Sequence, residues 1–309
     1  MKPLRTGAGE QSNPIRRIVI LGHTGFIGGN LHSFFRTHSQ AAVIVGRSFS
    51  DVDLTFPEHA ERLSNLFDLN TAVIVCAAIK KQLGDSLEIF SSNLQIVMNL
   101  CRVLAKCPVR RVIFFSSAAV YGEDVHNTNI TEATPPQPRS YYGLAKFASE
   151  ILLRKAIDRN KPTSLLILRP ALVYGPGDQG GYGPTGFIKA ALRREPIVLW
   201  GDGSEKREFI FVGDLTRAVH ALTFDGYDGI VNVASGQSYS FQDAVNVVQD
   251  LVALEQPLGS RPRTKGKADH GFDNSRLRAL VPDMQFTSLA EGIRVTFEAN
   301  HSAANNPPP

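Results

Sequence analysis

The stretch Arg17-Ile18-Val19-Ile20-Leu21 followed by Gly22-His23-Thr24-Gly25-Phe26-Ile27-Gly28 leaves this chain few folds to choose from. A short apolar, β-branched run fits a strand buried on both faces of a parallel sheet. The glycines then fall at Gly-x-x-Gly-x-x-Gly spacing, and Gly29-Asn30-Leu31-His32-Ser33-Phe34-Phe35 continues with helical periodicity. Strand, glycine turn and helix in that order give a glycine motif its mechanism. Gly22 permits the tight turn, and Gly25 lets backbone approach a diphosphate at the helix N-terminus. Gly28 lets helix and strand pack closely. Thr24, Phe26 and Ile27 complete the loop, and His23 reads as an ordinary loop position.

A second strand, Ala42-Val43-Ile44-Val45, runs into Gly46-Arg47-Ser48. A dinucleotide with a free ribose 2′-hydroxyl wants an acid at the end of this strand. Gly46 stands there instead, and Arg47 follows. A guanidinium fork suits a 2′-phosphate, so the residues favour NADP(H), with NAD(H) as the alternative. Asp51 to Thr55 leads into a helical segment from about Pro57 to Phe67. The buried strand Thr71 to Cys76 ends in Ala77 and Ala78, small enough for close cofactor approach. A long helix from Leu87 to Leu104 carries Asn93 and Asn99. The strand Val112-Ile113-Phe114-Phe115 then delivers Ser116-Ser117-Ala118-Ala119-Val120-Tyr121-Gly122 to the carboxyl edge, where doubly wound sheets bind ligands. Asn127 to Pro138 reads as a polar, proline-rich loop.

That loop leads to Tyr142 and Lys146, four residues apart at the start of a helical run to about Ile157. Positions i and i+4 share a helix face, so the ammonium can sit beside the phenol. Bringing a free tyrosine from about 10 to neutrality needs roughly 4 kcal/mol, about what a unit charge ~4 Å away supplies at an effective dielectric near 20. Such a phenol could exchange a proton with an alcohol or ketone.

Composition narrows the function classes. The formal charge of +4 is scattered without a run of five or more like charges, which gives no reason to expect nucleic acid. Cys76, Cys101 and Cys107 have neither zinc spacing nor a disulfide framework, as expected of a cytoplasmic protein. No stretch is apolar and long enough for a transmembrane helix, so no membrane association is expected. Residues 1–13 carry no apolar signal segment and read as a disordered lead-in, and residues 301–309 as a disordered tail.

Taken in order, these motifs resemble the extended branch of the short-chain dehydrogenase/reductases, and within it the NAD-dependent epimerase/dehydratase family acting on nucleotide sugars. The likeness runs from about Ile15 to Phe297. It rests on the glycine loop, Ala77-Ala78, the helix around Asn93, Ser117 to Gly122 and Tyr142/Lys146. It continues through Leu168-Arg169-Pro170-Ala171-Leu172-Val173-Tyr174-Gly175-Pro176-Gly177 and the segment Gly201 to Asp214. The resemblance implies a Rossmann-like doubly wound parallel sheet with a smaller C-terminal substrate-binding α/β region. Residues 14–175 would form the dinucleotide-binding domain, with a returning strand at 230–234, and residues 176–300 mainly the substrate domain. It also implies a homodimer, through the Leu87–Leu104 and Tyr142–Ile157 helices.

By the same resemblance Ser117 would hydrogen-bond the reacting oxygen. Tyr142 would be the acid/base, and Lys146 would bind the nicotinamide ribose and lower the tyrosine pKa. Gly22, Thr24, Gly25, Phe26, Ile27, Gly28, Arg47, Ala77, Ala78 and Asn93 would surround the cofactor, with Asp53 and Leu54 flanking the adenine. Ala118 would lie against the sugar, and Arg207 and Arg263 would pair with a diphosphate, a geometry guanidinium suits. Two departures matter. Dehydratases of this type carry an acidic pair where this chain has Ala118 and Ala119, so water elimination lacks its acid and base. Leu172 replaces an asparagine that many relatives use near the substrate phosphates.

The Gly177–Pro184 stretch reads as a loop over the carboxyl edge, followed by helices at about Phe187–Arg194, Phe241–Leu251 and Ser288–Glu298. The expected activity is hydride transfer at C4 of a nucleotide-diphosphate sugar, favoured as a 4-ketoreductase, with a 4-epimerase retaining NAD as the alternative. A reductase of non-nucleotide ketones has no use for Arg207. A non-catalytic cofactor sensor has no use for Ser117, Tyr142 and Lys146 together.

Overall fold

Alternation along the strands decides where the helices pack. A computed structural model of the chain describes residues 14–39, 42–157, 162–180, 182–252 and 258–305. The first half contains β1 (Arg17–Leu21), α1 (Phe26–His38), β2 (Val43–Arg47), α2 (Pro57–Ala60), β3 (Thr71–Val75), α3 (Leu87–Lys106), β4 (Arg111–Phe115), β5 (Asn127–Ile130), α4 (Tyr141–Ile157) and β6 (Ser164–Pro170). There follow β7 (Leu172–Tyr174), α5 (Gly183–Leu192), β8 (Ile197–Trp200), β9 (Lys206–Phe211), α6 (Val212–Asp225) and β10 (Gly229–Val233). The chain continues through β11 (Ser238–Ser240), α7 (Phe241–Val252), β12 (Leu258–Arg261), β13 (His270–Phe272), α8 (Ser275–Leu280) and α9 (Leu289–Asn305).

Six strands form one sheet in the order β10-β6-β4-β3-β1-β2, and every pairing in it is parallel. Successive residues of a strand face opposite sides. Val19, Val73, Val112 and Leu165 accordingly bury against Leu100 and Leu104 of α3 and Leu153 of α4. Their neighbours Ile18, Ile20, Ile74, Ile113 and Leu166 bury against Leu31 and Phe35 of α1 and Leu215 and Leu222 of α6. Helices on both faces of a parallel sheet make this the expected Rossmann-like architecture. The strand expected to return at 230–234 is β10, on the edge beside β6.

After β7 the chain builds a second cluster. Phe187 and Ile188 of α5, Val245 and Val248 of α7 and Ile293 of α9 enclose Phe209 and Phe241. The small sheets β11-β9-β7, β12-β8 and β13-β5 lie in this part of the chain or reach into it.

Several local expectations need correcting. Residues 57–67 do not make one α-helix: Pro57 starts α2, and Glu61–Leu66 continues as a 3₁₀ helix. The loop expected from Asn127 contains β5, which pairs with β13 about 140 residues away, so no local signal marks it. Helix α5 begins at Gly183, with Pro184 in its first turn, where a missing N–H costs nothing. The supposed tail is helical through Asn305, and Phe297 stacks on His301 with ring centroids 6.0 Å apart. The lead-in 1–13 and residues 306–309 lie outside the described residues. Cys76, Cys101 and Cys107 are free thiols. Among the described residues no helix is long and apolar enough to cross a membrane.

Candidate active site

Strand ends bring the site together. The carboxyl ends of β1, β3 and β4, the starts of α4 and β9 and the segments after β6 and β7 enclose a cavity of about 670 Å³. Gly22, Gly25, Phe26, Ile27, Gly28, Ala78, Ser117, Ala118, Tyr142, Lys146 and Arg207 line it together. A second cavity of about 690 Å³, lined by Arg263, adjoins it. Glu123, Gly180, Tyr182 and Arg207 belong to the walls of both.

The glycine loop has the shape a dinucleotide needs. A Cβ on Gly28 would lie 2.1 Å from the Gly22 carbonyl oxygen, so helix α1 sits against the turn with no room for a side chain. Gly22 adopts a φ of 87° beside the Ala77 backbone. A Cβ on Gly25 would meet nothing nearer than 3.4 Å, which leaves this backbone open to the cavity. The residues present therefore fit a dinucleotide phosphate. The Asn30 amide ties the start of α1 to the loop after β7, donating to Pro176 O at 3.1 Å.

At the end of β2 the structure corrects the reading of His23. Its ring occupies the space in front of Gly46: a Cβ there would fall 2.4 Å from the imidazole Cγ. His23 Nδ1 is buried and makes no hydrogen bond among the described residues. Any side chain at position 46 would have to displace this ring. Arg47 stays at the strand end, one guanidinium nitrogen donating to Gly46 O at 2.9 Å.

Asn93, Asp53, Leu54, Thr24 and Ala77, also expected at the cofactor, are not among the residues lining the cavity. Asn93 gives both ends of its amide to Ile79, accepting from N at 2.8 Å and donating to O at 3.1 Å. It shapes the loop after β3 and does not line the cavity. Asp53 accepts from the backbone and hydroxyl of Thr55 at 2.9 and 2.7 Å. Leu54 is buried, and its carbonyl takes the Asn99 amide at 2.8 Å. Thr24 is exposed on the loop, and Ala77 packs against Gly22.

Ser117, Tyr142 and Lys146 come together, though not with the electrostatics expected. Burial pushes the Tyr142 phenol up to about 12, opposed by its hydrogen bond with Ser117. Lys146 does not depress it. The ammonium donates to Phe115 O at 2.7 Å and lies 5.8 Å from the Tyr142 ring centroid. Burial lowers Lys146 itself to about 8, with the charge of Glu150 acting the other way. Protein groups alone thus keep the phenol protonated at neutral pH.

Arg207 and Arg263 converge, as the phosphate reading needs. Both guanidinium groups pair with Glu205. Arg207 also donates to Lys206 O at 3.0 Å and Glu123 O at 3.2 Å, and Arg263 reaches Asp202 at 3.4 Å. Sequence reasoning missed Glu123. Its Oε1 accepts from Lys81 and Ser140, each at 2.7 Å, while Oε2 is buried with no partner among the described residues. The signal for it was the Tyr121-Gly122 turn just before, whose Gly122 takes a φ of 96°.

This fold and this constellation define a nucleotide-binding enzyme of the doubly wound class with a Ser-Tyr-Lys centre. The model of the NAD dependent epimerase/dehydratase family matches residues 18–234, and the chain belongs to that family as one of its enzymes. It is similar to GDP-L-fucose synthase 1 of Arabidopsis thaliana, 25% identical with 93% of this chain and 94% of that protein covered. It is also similar to a dTDP-4-dehydro-6-deoxy-D-allose reductase of a Streptomyces species, 30% identical over 72% of each chain. Among solved structures, UDP-glucose 4-epimerase of Thermus thermophilus in complex with NAD superposes with a TM-score of 0.80 at 25% identity, covering 93% of this chain and 99% of that one.

Proposed function

We propose that this protein reduces a 4-keto sugar carried on a nucleoside diphosphate, with NADPH as the hydride donor. The observation that carries this reading is the His23 ring over Gly46, which removes the place of a ribose-binding acid and leaves Arg47 beside it. A guanidinium at that point suits a 2′-phosphate. The reductive direction also suits a phenol that is protonated when the reaction starts.

The bound nicotinamide supplies the hydride. Tyr142 gives its proton to the alkoxide oxygen forming at C4, and Ser117 hydrogen-bonds the same oxygen. Lys146 would hold ribose hydroxyls of the bound cofactor, its ammonium already steadied by Phe115 O. The sugar diphosphate lies along the adjoining cavity and takes the place of Glu205 on Arg207 and Arg263. With Ala118 and Ala119 beside Ser117, the site has no acid/base pair there for eliminating water. The similar allose reductase is named for a 4-dehydro sugar, which agrees with this assignment. A homodimer formed through α3 and α4 belongs to the same reading, since Met98, Leu144 and Ile151 are exposed on those helices.

A second reading, a 4-epimerase with retained NAD, is favoured by the superposition on the Thermus enzyme. The two separate on one measurement: the nucleotide released when freshly purified protein is heat-denatured. The reductase reading requires a protein free of nucleotide that binds NADPH more tightly than NADH and oxidises it with a nucleotide-linked 4-keto-6-deoxy sugar. Near-stoichiometric NAD in the supernatant would overturn it in favour of the epimerase.

A further inference from the structure

Glu123 is the acidic side chain between the two halves of the site, and half of its carboxylate has no partner among the described residues. Oε1 is fixed by Lys81 and Ser140, and the Ser140 hydroxyl in turn accepts the Gly143 N–H at 3.0 Å near the start of α4. Oε2 is buried and bonds to nothing among the described residues. Burial acts to raise this carboxyl, but the bonds from Lys81 and Ser140 outweigh it and hold it below the ordinary range. The group is therefore an anion at neutral pH, and Oε2 is an acceptor without a donor, an arrangement that costs free energy until something donates to it.

The position says what can donate. Glu123 lines the cavity that holds Ser117 and Tyr142 and also the one that holds Arg263. Its charge acts on the Tyr142 phenol, and its backbone carbonyl accepts from Arg207. A hexose with its reacting carbon at Tyr142 and its anomeric phosphate at Arg207 has to pass this carboxylate. A sugar hydroxyl can donate to Oε2. A sugar carboxylate cannot, because it would set one acceptor-only anion against another.

We propose that Glu123 Oε2 accepts a hydrogen bond from a free hydroxyl of the substrate sugar and makes the site selective for neutral hexoses over uronic acids. The inference rests on the nucleotide-sugar reading above. Glu123 acts through sugar recognition and takes no proton in the reaction.

Calorimetric titration of the cofactor-loaded protein tests both layers separately. The probes are UDP, UDP-glucose and UDP-glucuronic acid, and the matching set GDP, GDP-mannose and GDP-mannuronic acid. For the base that binds, the neutral sugar should bind roughly ten- to a hundredfold more tightly than its uronic acid, the range of a hydrogen bond to a charged group. In Glu123→Gln that ratio should fall at least about tenfold while the bare diphosphate binds as before, because Arg207 touches only the backbone of residue 123. Glu123→Asp keeps the charge but withdraws it by one methylene, and should lower the ratio in the same way. Cofactor affinity reports whether each variant is folded. A wild-type ratio near one overturns the assignment, and so does a ratio that survives in a folded variant. If neither UDP nor GDP binds, the same comparison is made with dTDP, dTDP-glucose and dTDP-glucuronic acid, and failure of all three diphosphates to bind overturns the nucleotide-sugar reading itself.

Discussion

Replacing Glu150 by glutamine should destabilise this protein by about 3–5 kcal/mol, the cost of breaking one partner of a buried ion pair. Glu150 lies one turn beyond Lys146 on α4 and is about 2% exposed, as is Arg169 on β6. The pair is bidentate, with Arg169 Nε to Oε1 at 2.9 Å and Nη2 to Oε2 at 2.6 Å. Ser116, next to Ser117, donates to Oε1, and Arg169 also donates to the Tyr121 hydroxyl at 2.9 Å. Two charge-assisted bonds at about 1.5–3 kcal/mol each give the same range from the contacts. Glutamine keeps one acceptor oxygen but turns an N–H toward the guanidinium or Ser116, so an uncompensated charge stays buried. Urea unfolding at neutral pH should show a lower midpoint with an unchanged m-value. The double variant Glu150→Leu/Arg169→Met should recover most of the loss, since it removes both charges and Tyr121 still donates to Asn232 at 2.7 Å. A loss below about 1 kcal/mol for Glu150→Gln, or additive losses in the double variant, would refute the argument.

Glu208 is 1% exposed, and burial raises its carboxyl to about 7. A raised folded pKa gives stability that is complete below the unfolded value near 4.5 and is lost as pH rises through about 7. Wild type should therefore lose up to roughly 3 kcal/mol more than Glu208→Gln across that window in chemical denaturation, whatever the constant offset between them. Gly46→Asp alone should abolish cofactor binding, because the new side chain meets the His23 ring. Gly46→Asp with His23→Ala should bind NADH in preference to NADPH by fluorescence titration, and an unchanged preference would show that the His23 ring over Gly46 does not set it. Arg207→Ala should raise KM for the nucleotide sugar about tenfold or more with a smaller effect on kcat, the pattern of lost ground-state binding. Tyr142→Phe should lower kcat by at least about a hundredfold at unchanged cofactor affinity, and full turnover would sink the proton-transfer scheme.

The sheet was readable because its strands are short buried runs with punctuating glycines, and β1 to β4 sit where Ile18, Ile44, Val73 and Ile113 place them. What escaped depends on contacts remote in sequence. Strand β5 exists through β13, and the continuation of α9 past Glu298 needs only helix-tolerant residues that composition had assigned to a tail. Tyr142 and Lys146 were legible from their spacing, and Ser117 from the family resemblance. The protonation of Tyr142 was not, because burial and the direction of the Lys146 ammonium are set by β4 and its Phe115 carbonyl. His23 passed as a loop residue since nothing in the sequence says that its ring faces Gly46, and the orphaned oxygen of Glu123 is a property of the folded cavity alone.

Glu205 carries a consequence for how ligand affinity will behave. Its carboxylate already sits on both Arg207 and Arg263. An incoming diphosphate does not meet two free cations. It competes with an anion built into the chain, and the measured affinity reports an exchange of one counter-ion for another. Added salt weakens the internal pair as well as the external one, so binding should respond to ionic strength less steeply than two exposed arginines would. The internal carboxylate also stands in as a guard: any anion too weak or too narrow to grip both forks at once leaves the arginines with Glu205.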